Sequence, residues 1–238
     1  MSRSSLRRFG MAYRCMLGVW GAILAITTGG PSGCTTGAGF RDTFLVNKSE
    51  LRSTGVNTFF SLQPGTQSTL AGAGATVTIT VLDETRVVDG VETRVVEERE
   101  EEGGQLVEVS RNYFAIDPAT NDVYYFGEEV DIYENGQIVG HDGAWLSGVD
   151  GARFGLIMPG EIIIGDQYYQ EIAPDVAMDR AENISIDETV ETPAGTFTGC
   201  LHVVETTPLE SGESLKWYCP SVGLVQDGDV VLTNRQTR

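Results

Sequence analysis

From about residue 44 onward, the chain consists of short runs that alternate apolar and polar positions, separated by turn sequences. Residues 76–82 alternate β-branched side chains, and similar runs flank the dipeptides Asp89-Gly90, Asn135-Gly136 and Asp227-Gly228. Such a dipeptide between two alternating runs is a strong hairpin signal, because both turn residues must adopt positive φ angles. The pattern therefore predicts a series of β-hairpins.

Long amphipathic helices are missing from this pattern. Residues 173–182, with Pro174 in a first turn, suit a short helix, but they alternate well enough to form a strand instead. No break in composition marks a second domain after residue 44. We therefore predict an all-β fold, in which a single antiparallel meander of about ten to twelve strands forms a curved sheet, a sandwich or a partly closed barrel.

One run of charge stands out among the predicted strands. Residues 97–102 contain five glutamates and one arginine. We interpret this run as the solvated tip of a hairpin. A calcium site is the alternative, although the run lacks the spaced oxygen ligands of a dedicated calcium loop.

The first 33 residues have the features of an export signal. Four arginines precede an uncharged run over residues 16–26, and small residues lead from that run to Cys34. The apolar run is shorter than the roughly 20 residues that a membrane-spanning helix needs. We therefore expect residues 1–33 to be removed on export.

The end of this leader leaves two routes open. Ser32-Gly33-Cys34 resembles the end of a bacterial lipobox, in which the cysteine is lipidated and becomes the new N-terminus. Pro31 stands where that pattern has Leu, so ordinary cleavage after Ala38 is the alternative. We expect residues 34–56 to form a flexible tether and lead-in, and residues 57–238 to form the β-rich domain. The expected location is the bacterial cell envelope, with an acyl anchor at Cys34 in the membrane, or outside the cell.

Net charge separates the leader from the rest of the chain. The whole sequence has 16 basic and 34 acidic residues, a net charge of −18. Loss of the four leader arginines leaves 12 basic residues against 34 acidic ones, a net charge of −22. Such a chain repels a phosphate backbone, so we exclude nucleic acid as a partner. We interpret the acidity as a source of solubility and expect a monomer, with calcium-bridged or cationic-polymer binding as the alternative.

Two cysteines remain once the leader and Cys34 are set aside. Cys200 and Cys219 lie on either side of a turn rich in Pro, Gly and Ser. If Thr206 faces Glu213, the same antiparallel register places the two cysteines opposite each other, at a separation that a disulfide spans. We predict a structural disulfide rather than a metal or catalytic cysteine, because the sequence has no Cys-x-x-Cys motif.

One short stretch contains several side chains of the kinds that catalyse hydrolysis. In a hydrolase, His141 would be the base and Asp142 or Asp150 would orient it, with Ser147 as a nearby hydroxyl. Glu128 is a further carboxylate that we consider as a partner of His141. Against this interpretation, the sequence has no Gly-x-Ser-x-Gly motif, and adjacent side chains of a strand point to opposite faces.

Metal chemistry has few candidate ligands in this sequence. His141 and His202 are its two histidines, so a three-histidine site is excluded. A site formed by both histidines and a carboxylate would require distant strands to converge. We expect neither a metal ion nor a cofactor.

Aromatic residues are dense in the second half of the chain. They suit the core and rim of a β-fold, and they equally suit a groove for a sugar or a lipid. Our candidates for ligand contacts are Tyr125, Trp145 and Tyr168. The full set comprises Tyr124, Tyr125, Phe126, Tyr133, Trp145, Tyr168, Tyr169, Trp217 and Tyr218.

Several short blocks after Asn57 follow one another in a recognisable order. They are Asn-Thr-Phe-Phe-Ser-Leu-Gln-Pro-Gly-Thr (57–66), Val-Tyr-Tyr-Phe-Gly-Glu (123–128), Gly-Val-Asp-Gly-Ala (148–152), Met-Pro (158–159), Gly-Asp-Gln-Tyr-Tyr-Gln-Glu (165–171), Pro-Ala-Gly-Thr-Phe (193–197) with Cys-Leu (200–201), and Val-Gly-Leu-Val (222–225). In these blocks the chain resembles an uncharacterised family of exported bacterial β-rich proteins and lipoproteins. The resemblance implies export and a β-rich fold, but no activity. Cys219 stands where the family pattern has a small residue, which implies that the disulfide is particular to this chain and its relatives.

Three functions are compatible with these features. We favour a noncatalytic envelope module that binds an apolar molecule or a polymer in the hollow of its sheet. The alternatives are a secreted enzyme that acts on polysaccharide or ester substrates with His141 as base, and a surface or matrix interaction protein. A dry aromatic cavity would favour the first, and convergence of His141 with carboxylates in a cleft would favour the second.

Overall fold

The computed structural model describes residues 39–237, and this region contains fifteen β-strands and no helix. The export signal and Cys34 lie outside the described residues. The first eight strands are β1 Thr66–Gly72, β2 Ala75–Val88, β3 Val91–Glu102, β4 Gln105–Ile116, β5 Val123–Glu134, β6 Gln137–Gly140, β7 Trp145–Leu146 and β8 Arg153–Met158. The others are β9 Gln167–Tyr169, β10 Glu171–Ile172, β11 Arg180–Thr192, β12 Gly195–Thr206, β13 Ser214–Cys219, β14 Gly223–Asp227 and β15 Val230–Thr237. The all-β prediction is confirmed, and the strands beyond the predicted number are short ones such as β7 and β10.

All fifteen strands belong to one antiparallel sheet. Its order is β10-β8-β5-β4-β3-β2-β1-β15-β14-β13-β12-β11-β9, with β6 and β7 also paired to β5. The first and last strands of this order, β10 and β9, are joined in the chain by Gln170 alone. A Cβ atom at Gly155 of β8 would lie 2.4 Å from the Gln170 carbonyl oxygen, so β8 packs directly against this link. The sheet therefore curls into a nearly closed barrel, as the prediction of a partly closed barrel allows.

Two of the predicted hairpin turns have the expected backbone. Asp89 and Gly90 have φ angles of 50° and 79°, and Asn135 and Gly136 have φ angles of 52° and 76°. At the third dipeptide the turn is displaced by one residue, because Asp227 pairs with Val230 at the end of the strands. The ambiguous segment 173–182 forms a turn followed by the start of β11, so the strand alternative is the correct one for its last residues.

The predicted disulfide is confirmed. The β12–β13 pairs run from Leu201 with Tyr218 to Glu205 with Ser214, which is the register inferred from the turn. One step further along this register, Cys200 and Cys219 are bonded, with their Cα atoms 4.1 Å apart.

The segment that precedes β1 packs against the core of the barrel. Leu51, Phe59 and Leu62 are buried in the main core. The guanidinium of Arg94 donates to the Ser53 carbonyl oxygen at 3.0 Å and to the Thr54 hydroxyl at 2.6 Å. The segment assigned to a lead-in thus contacts the barrel over its second half.

The pairing of β3, β4 and β5 separates the two faces of the barrel wall. Val96 faces Asn112, which faces Glu128, and all three are buried. The neighbouring row of Glu97, Arg111 and Glu129 also faces across these strands, and it is more exposed. We call the first face the inner wall and the second the outer wall, because side chains alternate between the two faces of a strand.

Candidate functional site

Four glutamates occupy the inner wall on β3, β4 and β5. Glu98 is two residues from Val96, and Glu100 is two residues further along the same face. Glu100 lies directly opposite Glu108. Because like charges at facing positions of a sheet repel, this arrangement works against stability. We call Glu98, Glu100, Glu108 and Glu128 the inner-wall glutamates.

The environment of these glutamates disfavours their charged form. Burial, together with the smaller effects of the carboxyl groups of Glu128, Glu100 and Glu98, raises the pKa of Glu108 to about 9. Burial likewise raises the pKa of Glu128 to about 8. For Glu98, burial raises the pKa to about 7 although Lys216 acts in the opposite direction. A cluster of this kind inside a fold is typical of a functional site.

Glu98 and Glu108 combine depth with partial accessibility. Both are deep enough for burial to dominate their pKa values. Both nevertheless keep an intermediate fraction of their surface accessible to solvent. A barrel of about this many strands is wider than the roughly eight-stranded kind that side chains fill completely. Neither side chain is therefore packed into the core on all sides.

A buried lysine lies on another part of the inner wall. Lys216 Nζ is 2.7 Å from Glu205 Oε2 and 3.4 Å from Asp227 Oδ2. Burial opposes the charge of Lys216, but Asp227 and Glu205 outweigh it and hold the pKa of the ammonium well above its usual value. Gln170 also donates to Glu205 Oε1, at 2.7 Å. The charge of Lys216 is therefore already matched by its own partners.

The aromatic side chains of Tyr125 and Trp145 flank Glu128. We call these three residues, Tyr125, Glu128 and Trp145, the aromatic corner. Trp145 faces Glu128 across β5 and β7, and its ring centroid is 5.2 Å from that of Tyr125. The Tyr125 hydroxyl donates to Asn112 Oδ1 at 2.6 Å. Against the larger effect of burial, Tyr125 and Trp145 also lie close enough to Glu128 to lower the pKa of its carboxyl group. Glu128 and Trp145 are 2% and 6% exposed, yet neither Glu128 Oε2 nor Trp145 Nε1 has a well-formed hydrogen bond within residues 39–237.

Tyr168, the third aromatic candidate, lies elsewhere on the inner wall. It faces Ala181 on β11, and Ala181 in turn faces Glu205. Its hydroxyl donates to Asn183 Oδ1 at 3.1 Å. Tyr168 is therefore close to Glu205, a partner of Lys216, rather than to the aromatic corner. Its hydroxyl already has a hydrogen-bond acceptor.

The structure separates His141 from Glu128 and from Asp150. His141 is 66% exposed, and its Nδ1 lies 3.0 Å from Asp131 Oδ1 and 2.8 Å from the Val130 carbonyl oxygen. It lines an open groove of about 530 Å³ on the outer wall, together with Glu97, Arg99, Val109, Arg111, Glu129, Asp131, Tyr133 and Ala144. Glu128 occupies the inner wall of the same strand, so the barrel wall lies between the two side chains.

The other hydrolase candidates have different surroundings. Asp142 and Asp150 are exposed in turns, and Asp150 has a φ angle of 49°. The Ser147 hydroxyl donates to Asp89 Oδ2 at 2.7 Å and accepts from the Phe154 amide at 3.1 Å. Ser147 thus ties the β2–β3 turn to β8 and has no contact with His141.

His202 does not approach His141 either. It faces Trp217 across β12 and β13, and the two rings stack with their centroids 4.5 Å apart. Over residues 39–237, no group of three or more His, Cys, Asp or Glu side chains is placed to hold a metal ion.

Our interpretation of the acidic run at residues 97–102 needs a correction. The run is not simply a solvated hairpin tip, because Glu98 and Glu100 lie on the inner wall while Glu97 and Arg99 line the outer groove. Sequence reasoning therefore missed Glu98 and Glu108 as site residues. The alternation of β3 was the available signal, since every second glutamate must share the face of Val96.

Comparisons with known proteins give one structural neighbour. No protein-family model and no curated protein matches the chain. A crystal structure of a candidate lipoprotein from Parabacteroides distasonis aligns with a TM-score of 0.38 and 16% identity, over 77% of this chain and 100% of that one.

Within residues 39–237, the structure has no helix that is long and apolar enough to cross a membrane.

Proposed function

We propose that this chain is a noncatalytic binding module that holds a small molecule inside its barrel, at the aromatic corner. The observation that carries the proposal is that two buried polar atoms, Glu128 Oε2 and Trp145 Nε1, lack a well-formed hydrogen bond within residues 39–237. Buried polar groups without partners are rare in folded proteins and cost roughly 1 to 3 kcal/mol each. A ligand that donates to the carboxyl group and accepts from the indole would satisfy both.

The surroundings of this pair narrow the kind of molecule. Tyr125 and Trp145 offer aromatic surface, while Glu128 and Glu98 offer carboxyl groups on the same face of the wall, near enough to each other for Glu98 to raise the pKa of Glu128. Binding sites for small molecules typically combine apolar walls with a few polar groups that fix orientation. The ligand should therefore have a carbon skeleton that carries polar groups, rather than being wholly apolar.

The place of action follows from the leader. We propose that the module works in the cell envelope, because the arginines and the apolar run have the pattern of an export signal and Ser32-Gly33-Cys34 resembles the end of a lipobox. Replacement of Cys34 by Ser should shift the protein from the membrane fraction to the soluble fraction. Unchanged partition would remove the acyl anchor from the account.

Intrinsic fluorescence provides a test of the binding site. The chain has three tryptophans, of which Trp145 lies at the aromatic corner and Trp217 stacks on His202. We would titrate the Trp217→Phe variant, whose emission reports more strongly on Trp145, with cationic, neutral and anionic small molecules. We expect a saturable change with one class, and its loss when Glu128→Gln is added. No saturable response from any class would overturn the proposal, as would an unchanged response in the Glu128→Gln variant.

A second candidate function, that of a hydrolytic enzyme, rests on the contact between His141 and Asp131 in the outer groove. A histidine beside a carboxylate is the arrangement of a general base and the group that orients it. Turnover of ester or glycoside substrates that is abolished in His141→Ala would favour this enzyme over the binding module. Asp150→Ala is the matched control, because Asp150 lies in an exposed turn outside the groove.

A further inference from the structure

We infer that the ligand of this barrel is an elongated organic cation with two or more amino groups, bound along the inner-wall glutamates. The inference rests on the proposed binding function and names the chemical class of the ligand. It starts from the buried carboxyl oxygen of Glu128, which lacks a well-formed hydrogen bond within residues 39–237, and from the glutamates that continue the same face.

The glutamates are spread along the barrel rather than gathered at one point. Glu128 faces Asn112, and Glu108 lies four residues from Asn112 on the same face of β4. Four residues of a strand span about 13 Å. Glu98 lies between these two levels, because it faces Ser110. A ligand that matches this wall therefore needs positive groups distributed over roughly the same length.

This spacing favours an organic cation over a metal ion. A metal ion needs several oxygen ligands that converge within roughly 2.6 Å of it. The described residues contain no group of acids placed in that way. A linear amine, by contrast, meets one carboxyl group with each ammonium and lays its methylene groups along the apolar surface between them.

The aromatic corner adds a second reason. The faces of tryptophan and tyrosine rings attract cations, and the effect grows when water is excluded. Tyr125 and Trp145 both lie beside Glu128, and both are buried. An ammonium group here would have a carboxyl group and two aromatic rings as neighbours.

The charged groups near Glu98 and Glu108 are mostly other carboxyl groups. Those that act on Glu108 are Glu128, Glu100 and Glu98. Lys216 acts on Glu98, but its ammonium is held by Glu205 and Asp227. A cationic ligand beside Glu98, Glu108 and Glu128 would therefore favour the charged form that burial disfavours, and would bind as each carboxyl group loses its proton.

Calorimetric titration of the purified full chain with spermidine tests the inference. We expect saturable binding that weakens at least tenfold in Glu98→Gln and in Glu108→Gln. Glu97→Gln is the matched control, because Glu97 adjoins Glu98 in the chain and lies on the outer wall. Its affinity should stay within twofold of the wild type. Both inner-wall variants should melt at or above the wild-type temperature, since each removes a carboxyl group that burial disfavours.

Three results would overturn the inference. Equal weakening in Glu97→Gln and Glu98→Gln would mean diffuse attraction to a chain of net charge −18. Equal binding of 1,8-octanediol would mean that charge is not recognised. Displacement of spermidine by calcium ions at equal concentration would favour a metal ligand. If a neutral or anionic molecule gives the saturable, Glu128-dependent fluorescence response, the cation inference fails while the binding function stands. If no class gives that response, both fail.

Discussion

Glu128 and Glu129 are neighbours in the sequence and lie on opposite faces of the barrel wall. Glu129 is 53% exposed, forms an ion pair with Arg86 and accepts a hydrogen bond from the Tyr113 hydroxyl at 2.7 Å. These contacts, the Arg86 hydrogen bond above all, lower the pKa of Glu129. Glu128 is 2% exposed, and burial raises its pKa to about 8. Strand β5 thus carries two neighbouring carboxyl groups, one with a raised pKa and one with a lowered pKa.

The contrast extends along the neighbouring strands. On the outer wall, Arg111 lies between Glu97 and Glu129 in the pairing and donates to Glu97 at 3.4 Å. On the inner wall, Glu100 faces Glu108. On these strands the outer wall places an arginine between its carboxyl groups, while the inner wall places two glutamates directly opposite each other at a cost in stability. Such a cost is expected where a surface is arranged for a ligand rather than for folding.

The largest expected effect comes from removing the buried cation of the inner wall. Lys216→Met leaves Glu205 and Asp227 buried without their partner, so we expect a loss of about 3 to 5 kcal/mol in the free energy of unfolding at pH 7. Urea denaturation would measure it. Lys48→Met is the control for an exposed ion pair, because Lys48 pairs with Asp89 of the β2–β3 turn at a partly exposed site. That change should cost no more than about 1 kcal/mol. Equal losses in the two variants would contradict the contrast between buried and exposed charges.

A smaller effect of opposite sign is expected for Glu108→Gln. The pKa of Glu108 is raised in the folded chain to about 9 from an unfolded value near 4.5. The stability that the protonated Glu108 side chain contributes is therefore fully present below pH 4.5. It is lost as the pH rises through the pKa of Glu108 in the folded chain. The Gln variant should be more stable than the wild type by about 1 to 3 kcal/mol at pH 8, and by less than about 1 kcal/mol at pH 5. Thermal unfolding at the two pH values checks this.

The outcome that would contradict this prediction is a variant that is less stable than the wild type at pH 8. Glu129→Gln provides the control, because the lowered pKa of Glu129 gives a contribution that is present above pH 4.5 and lost as the pH falls. Glu129→Gln should therefore destabilise at pH 8.

The smallest expected effect concerns salt. The loss caused by Glu129→Gln at pH 8 should be no more than about 1 kcal/mol and should vanish in about 1 M NaCl, because exposed ion pairs are screened. The gain from Glu108→Gln should persist in the same salt, since burial is its main cause. Denaturation curves at low and high salt measure both. Equal screening of the two effects would place Glu108 in an environment like that of the outer wall.

The parts of the fold set by local chemistry could be predicted from the sequence. The turns at Asp89-Gly90 and Asn135-Gly136 have the expected positive φ angles. The register of β12 and β13 followed from the turn between them, and it placed Cys200 opposite Cys219. Each of these features depends on residues that are close in the chain.

The site was less accessible to prediction, because it depends on which face of each strand is enclosed. Alternation shows that Glu98 and Glu97 face opposite ways, but not which of them faces inward. That choice is made by closure of the sheet through Gln170 and Gly155, which are distant from β3 in the chain. Glu128, Tyr125 and Trp145 were among the predicted site residues, but their grouping apart from His141 became visible only in the barrel.

Carboxyl titration of Glu128 and Glu129 by NMR tests the central claim most directly. Side-chain ¹³C signals of a glutamate-labelled sample would be followed against pH and assigned with the variants Glu128→Gln and Glu129→Gln. We expect a midpoint at about 8 for Glu128 and a midpoint below 4.5 for Glu129. Coincident midpoints near 4.5 would mean that the two faces of the wall do not differ electrostatically, and would contradict the central claim.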